Sequence, residues 1–181
     1  MSPVQRILLL AGLAALVPAA AAFGQTGSSE PTSALRGHDT NAPVDVAADR
    51  IEVQDRADRA VFSGNVVVKQ AEMTLTAARL TVAYANSGGI QIQRLDASGG
   101  VTVRSPTETA RGAFAIYDLN DKIITMLGGV TLTRGESHVS GARLVIDLNS
   151  GRAVMDGGGA PGTTNTGGRV TGTFTVPQRK S

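Results

Sequence analysis

The chain has 181 residues, no cysteine, and 17 Lys+Arg against 15 Asp+Glu, a formal net charge of +2. Without thiols there is no disulfide scaffold, Cys-ligated zinc, iron–sulfur cluster or thiol nucleophile, and so balanced a charge excludes a strongly basic nucleic-acid footprint. Aromatic residues are 3% of the chain, with no Trp, too few for base- or sugar-stacking platforms; the 22 Gly fit one globular domain with many turns.

Residues 1–24 have the pattern of a secretory signal peptide. Met1 to Arg6 carries one positive charge, Ile7 to Val17 is an 11-residue apolar run (17 − 7 + 1), and Pro18 breaks it before the small residues Ala19 to Ala22. Cleavage is expected after Ala22, with Ala20 and Ala22 at −3 and −1, or after Gly24. A spanning helix needs ~20 apolar residues, so the run is short for an uncleaved anchor. Loss of Arg6 leaves 16 basic against 15 acidic groups, a mature charge of +1. The expected compartment is the periplasm.

Residues 25–43 are rich in Gly, Ser, Thr and Pro with no period and are expected to be a disordered lead-in. Residues 44–156 are the expected folded domain. Residues 157–181 are expected to be a Gly-rich flexible tail, although Arg169 to Val176 alternates weakly enough to suggest a late strand.

The domain is a repeat. Gly64-Asn65-Val66, Gly99-Gly100-Val101 and Gly128-Gly129-Val130 anchor it, and 13 residues after each first Gly stands a small residue: Ala77, Gly112 and Gly141. A partial earlier copy starts at Ala48. From small residue to next anchor the step is 16 residues in three cases (48 to 64, 112 to 128, 141 to 157) and 22 in the fourth (77 to 99). The extra six fall around Asn86-Ser87-Gly88-Gly89, expected as a longer loop. A fixed period of 13 + 16 = 29 residues means stacked supersecondary units.

Every unit alternates with period two. The predicted fold is all-β, a stack of antiparallel strands, roughly 12 to 16 of them and short, with bends or bulges at the Gly anchors. The residues expected on the apolar inner face are Ile51, Val53, Phe62, Val66, Val68, Leu75, Leu80, Val82, Leu95, Val101, Val103, Ile124, Met126, Val130, Leu132, Leu144 and Ile146. Such a face either closes as an ordinary core or lines a greasy groove. Each methylene withdrawn from water contributes about 0.8 kcal/mol, so a chain of about a dozen carbons gains on the order of 10 kcal/mol in a groove.

The runs Ala48 to Val53, Ala60 to Val68 and Met73 to Val82, repeated over Gly112 to Leu119 and Leu127 to Leu148, resemble the OstA-like family, LptA-like members in particular, over about residues 44 to 156. The resemblance implies an open, twisted β-jellyroll with no catalytic residue, metal or cofactor. It implies that the 17 inner-face residues bind the acyl chains of lipid A, as part of a bridge carrying lipopolysaccharide from an inner-membrane complex to an outer-membrane translocon. The implied partners are lipopolysaccharide, an LptC-like inner-membrane protein and an LptD-like translocon, met through edge strands, with head-to-tail self-assembly and no nucleic acid.

Three other readings stay open at this stage. One is a structural or adhesive secreted β-solenoid with a filled core. Another is the membrane-anchored partner of the same pathway, against which the short apolar run argues. The third is a carbohydrate-active enzyme, for which Asp49, Asp118 and Asp147 near strand ends are the only carboxylate candidates; a turn role explains the equivalent Asp118 and Asp147. His38 and His138 lack metal-ligand spacing, and Arg50, Arg79 and Arg143 fall out of phase with the apolar set, so the outer face is expected for them. The exposed edges are expected along Val44 to Val53 and Arg143 to Leu148.

Overall fold

The structure, a computed structural model, describes Leu35 and residues 37–158 and 168–175. The expected signal peptide lies outside the described residues, as do 25–34 and 36 of the lead-in and 159–167 and 176–181 of the tail. Ten strands form one antiparallel sheet: β1 (Val44–Ala47), β2 (Arg50–Gln54), β3 (Arg59–Gln70), β4 (Met73–Ala85), β5 (Gln91–Arg104), β6 (Glu108–Asp118), β7 (Ile123–Arg134), β8 (Ser137–Asp147), β9 (Arg152–Asp156) and β10 (Thr171–Thr173). Strands β3 to β8 pair in sequence order. β1 and β2 share β3 as partner at one edge; β9 and β10 share β8 at the other.

The strands are fewer and longer than the 12 to 16 expected. Six of them run 11 to 14 residues. Each carries a register shift near its middle, between Ser63 and Val66, Thr76 and Arg79, Ser98 and Val101, Arg111 and Phe114, and Leu127 and Val130. A bulge bends a strand without ending its pairing, so what reads in sequence as two short strands is one bent strand. The shifts enclose the Gly anchors. The first glycine of the second and third anchors, Gly99 and Gly128, has φ +83°, and a Cβ there would come within 2.6 Å of the Cβ of Ala78 or Ala113 on the adjoining strand. The small residues of the repeat also find their reason: Ala77, Gly112 and Gly141 pair directly with Val66, Val101 and Val130, beside the bend.

The bends fold the sheet into two layers whose inner faces share a single hydrophobic cluster. Because paired residues lie on the same face, the inner face can be read as rows running from edge to edge. One row is Val46–Val68–Leu75–Val103–Ala110–Leu132–Val139. Across the bend lie Ile51–Phe62–Leu80–Ala97–Ala115–Met126–Leu144–Met155 and Val53–Ala60–Val82–Leu95–Tyr117–Ile124–Ile146–Ala153. The loop expected around Asn86 to Gly89 separates β4 from β5.

Two sequence expectations change. The stretch Arg143 to Leu148 is not an edge: its strand, β8, is paired on both sides, and β9 and β10 form that border. The repeat ends at β8, so strands beyond it carry little of its signature. The segment before β1 also enters the fold, since Leu35 is 5% exposed and part of the hydrophobic cluster. The late strand suspected in Arg169 to Val176 is β10.

Candidate functional site: an apolar interior open at both edges

Thirteen of the 17 expected inner-face residues are buried: Val66, Val68, Leu75, Leu80, Val82, Leu95, Val101, Val103, Ile124, Met126, Val130, Leu144 and Ile146 are each 5% exposed or less. Phe62 and Leu132 are half-buried against them. Ile51 and Val53 are on the inner face, paired with Phe62 and Ala60, yet 56% and 57% exposed. The reason is positional: β2 is the last strand on its side, so nothing packs beyond it.

The interior is thus closed in its middle and open at its ends. At the β1/β2 edge a cleft of about 420 Å³ is lined by Val44, Val46, Ile51, Val53, Ala60, Phe62, Val82, Tyr84, Ile90 and Ile92, with Asp55 and Asn86 at its margin. At the β9/β10 edge a cleft of about 390 Å³ is lined by Leu132, Val139, Leu144, Ala153, Met155 and Phe174, with Glu108, Arg134 and Ser137. Both open onto the apolar rows, which run between them without a polar interruption. Exposed Ile51, Val53, Ile90 (72%) and Phe174 (70%) are costly for a free surface and mark places where apolar matter can be covered.

Polar groups in the interior are few. Gln70 and Glu108 are the buried polar or charged residues among those described. Arg134 Nε donates to Glu108 Oε1 at 2.8 Å, and the two are cross-strand partners on β7 and β6. Tyr117 OH donates to Gln70 Oε1 at 3.0 Å across the interior. Burial pushes the Tyr117 phenol up to about 12, against a smaller downward pull from Gln70.

The sequence reading passed over Tyr84, Ile92, Met155, Phe174 and Gln70. Met155 and Ala153 do align with the apolar phase of the repeat. Gln70 has a subtler mark: it sits in phase with Val66 and Val68, where a further apolar residue would continue the stripe.

The remaining candidates take structural places. Asp118 Oδ1 accepts from the backbone N–H of Asn120 and Asp121 (2.9 and 3.0 Å). Asp147 Oδ1 accepts likewise from Asn149 and Ser150 (2.8 and 3.1 Å). These are equivalent Asx turns, and the Ser150 N–H holds the Asp147 carboxyl below the usual carboxylate range. Asp49 accepts from Asn65 Nδ2 at 2.9 Å, stitching the break between β1 and β2 to the first bulge. Arg50, Arg79 and Arg143 are exposed on one outer-face row. His138 is exposed, whereas His38 lies 3.1 Å from Gln70 Oε1. Among the described residues, no group of three or more His, Cys, Asp or Glu is placed to hold a metal.

Three comparisons bear on this architecture. A protein of Rhizobium meliloti (strain 1021), described as uncharacterized, is 32% identical over 156 residues, covering 82% of this chain and 83% of its own. The crystal structure of LptH from Pseudomonas aeruginosa, described as the LptA-homologous periplasmic component of the conserved lipopolysaccharide transport device, aligns with a TM-score of 0.66 at 18% identity. That alignment covers 77% of this chain and 99% of LptH, and it places the bent ten-stranded sheet among LptA-like jellyrolls. Residues 45–152 match the family model described as LptA/(LptD N-terminal domain) LPS transport protein, so this chain belongs to that family of lipopolysaccharide transport proteins.

Proposed function

We propose that the chain is a periplasmic carrier that shields the acyl chains of lipopolysaccharide and passes the lipid between an inner-membrane complex and an outer-membrane translocon. The observation that carries this reading is the edge-to-edge continuity of the inner-face rows, ending in an apolar cleft at each border of the sheet. A lipid held there loses contact with water along its chains, which is worth about 0.8 kcal/mol per methylene. An inner row that reaches an unpaired edge also continues into whatever strand docks on that edge by β-augmentation. Different borders, β1/β2 and β9/β10, meet in such a contact, so self-association is heterologous and open-ended.

The 17 inner-face residues divide by access under this proposal. Ile51, Val53, Phe62 and Leu132 meet lipid first; the 13 buried ones meet it after the layers part. The closed middle also favours the filled-core solenoid as a second reading. Binding of fluorescently labelled lipopolysaccharide to the mature chain separates the two. The carrier binds it and loses most of that binding in Ile51→Asp, which puts a charge in the open cleft without touching the core. A folded chain that binds none is the solenoid. The membrane-anchored alternative turns on residues outside those described; among the described residues no helix is long and apolar enough to cross a membrane.

A further inference from the structure

The segment before β1 lies along the side of the interior. Gln70, 2% exposed, closes the inner stripe of β3. Tyr117 reaches its Oε1 from the opposite layer. Its other contacts all come from this segment: His38 Nε2 lies 3.1 Å from Oε1, and Gln70 Nε2 donates to the carbonyls of Thr40 (3.1 Å) and Ala42 (3.0 Å). Further back, Leu35 joins the hydrophobic cluster beside a cavity of about 290 Å³ that Met73, Ser105 and Pro106 also line. The segment therefore passes the ends of the β3–β4 and β5–β6 hairpins.

Strand pairing begins only at Val44. Before it, the backbone bonds are local turns, His38 N–H to Leu35 O and Ala42 N–H to Asp39 O. One leucine and one amide hold the segment, whereas each strand beneath is held by a ladder. Local opening belongs to such weakly tied pieces.

We infer that Leu35 and residues 37–43 form a removable strap, a resident occupant of a lateral opening into the interior that an acyl ester or amide can replace. What the strap offers its slot has the chemistry of that ligand: an aliphatic side chain for the apolar cavity and carbonyl oxygens for the Gln70 amide. Once the strap leaves, Tyr117 still satisfies Gln70 Oε1, and Nε2 faces the opening with donors for the carbonyl at the head of an acyl chain. The inference rests on the lipid-carrier reading and adds a second way in, along the side rather than at the edges.

The absence of native cysteine makes single-thiol variants clean reporters. In the full mature chain, Met73→Cys lies beneath the strap and Leu80→Cys in the closed middle. Without denaturant, Met73→Cys is expected to be alkylated by iodoacetamide about tenfold or more faster than Leu80→Cys, because only the first needs local opening. Adding Leu35→Ser should quicken that alkylation and also the uptake of fluorescent lipopolysaccharide, with Leu35→Met restoring both. Equal, slow alkylation of the two thiols overturns the strap. So does a Leu35→Ser chain that melts earlier but takes up lipid at the wild-type rate, which is a purely structural role. If no variant and no wild-type chain binds the lipid while Met73→Cys still labels fast, the carrier reading fails; ligand replacement is then overturned too, and only local opening survives.

Discussion

Tyr117 and Gln70 join the two layers through one hydrogen bond, and the pair has a pH signature. The folded phenol titrates at about 12 against an ordinary value of 10.0, chiefly because burial disfavours its anion. A raised folded pKa favours the protonated form. Its contribution is complete below the unfolded value and is lost as pH rises through the folded one. The urea midpoint of the wild type should therefore fall as pH climbs beyond about 10, and less steeply in Tyr117→Phe. At neutral pH that variant should lose about 1 kcal/mol with the bond. Identical alkaline slopes would contradict the assignment. A second residue-level contrast concerns neighbouring glycines with the same φ of +83°: a Cβ on Gly99 meets the Ala78 Cβ at 2.6 Å, while one on Gly100 meets nothing within 4 Å. Both alanine substitutions strain the backbone, but Gly99→Ala should cost roughly 1 kcal/mol or more beyond Gly100→Ala in chemical denaturation.

At the scale of strands, position along a row decides what a side chain contributes. Leu80 and Ile51 share one row, two strands apart. Leu80 is fully buried and Ile51 is 56% exposed, so Leu80→Ala should cost roughly 2–5 kcal/mol and Ile51→Ala about 0.5 kcal/mol or less, read from urea midpoints. The Asx turn after β8 adds an acid-side test. The Asp147 carboxyl titrates below its ordinary range because of the Ser150 N–H. Its contribution is present above the unfolded pKa and disappears as pH falls through the folded one. The Tm gap between wild type and Asp147→Ala should narrow on acidification; a gap that widens would refute the turn role.

Strand phase was legible in the sequence because the repeat sampled it several times: Val66, Val101 and Val130 all carry the same parity, and all are buried. The strand number was not, since a bulge and a chain break look alike when only Gly and alternation are visible. The far edge was missed because β9 and β10 lie at or past the last full copy. Leu35 gave no periodic signal; a lone apolar residue among polar ones shows its partner only in three dimensions. Sequence phase likewise says which face is apolar but not how far the layers stand apart. Ile51 and Val53 were therefore placed on the right face without their exposure being foreseen.

For the molecule as a whole, the central proposal is that the inner face is a path for lipid from one border to the other. The most direct measurement is photo-crosslinking in the cell envelope, with the reactive residue placed at Ile51, Val53 and Leu132 and, as controls, at Thr102 and Thr131, which the register puts on the opposite face. The account predicts lipopolysaccharide adducts at the three inner positions and none at the controls. Adducts at neither set, with the protein present and folded, would contradict it and leave a sheet whose apolar face serves only its own core.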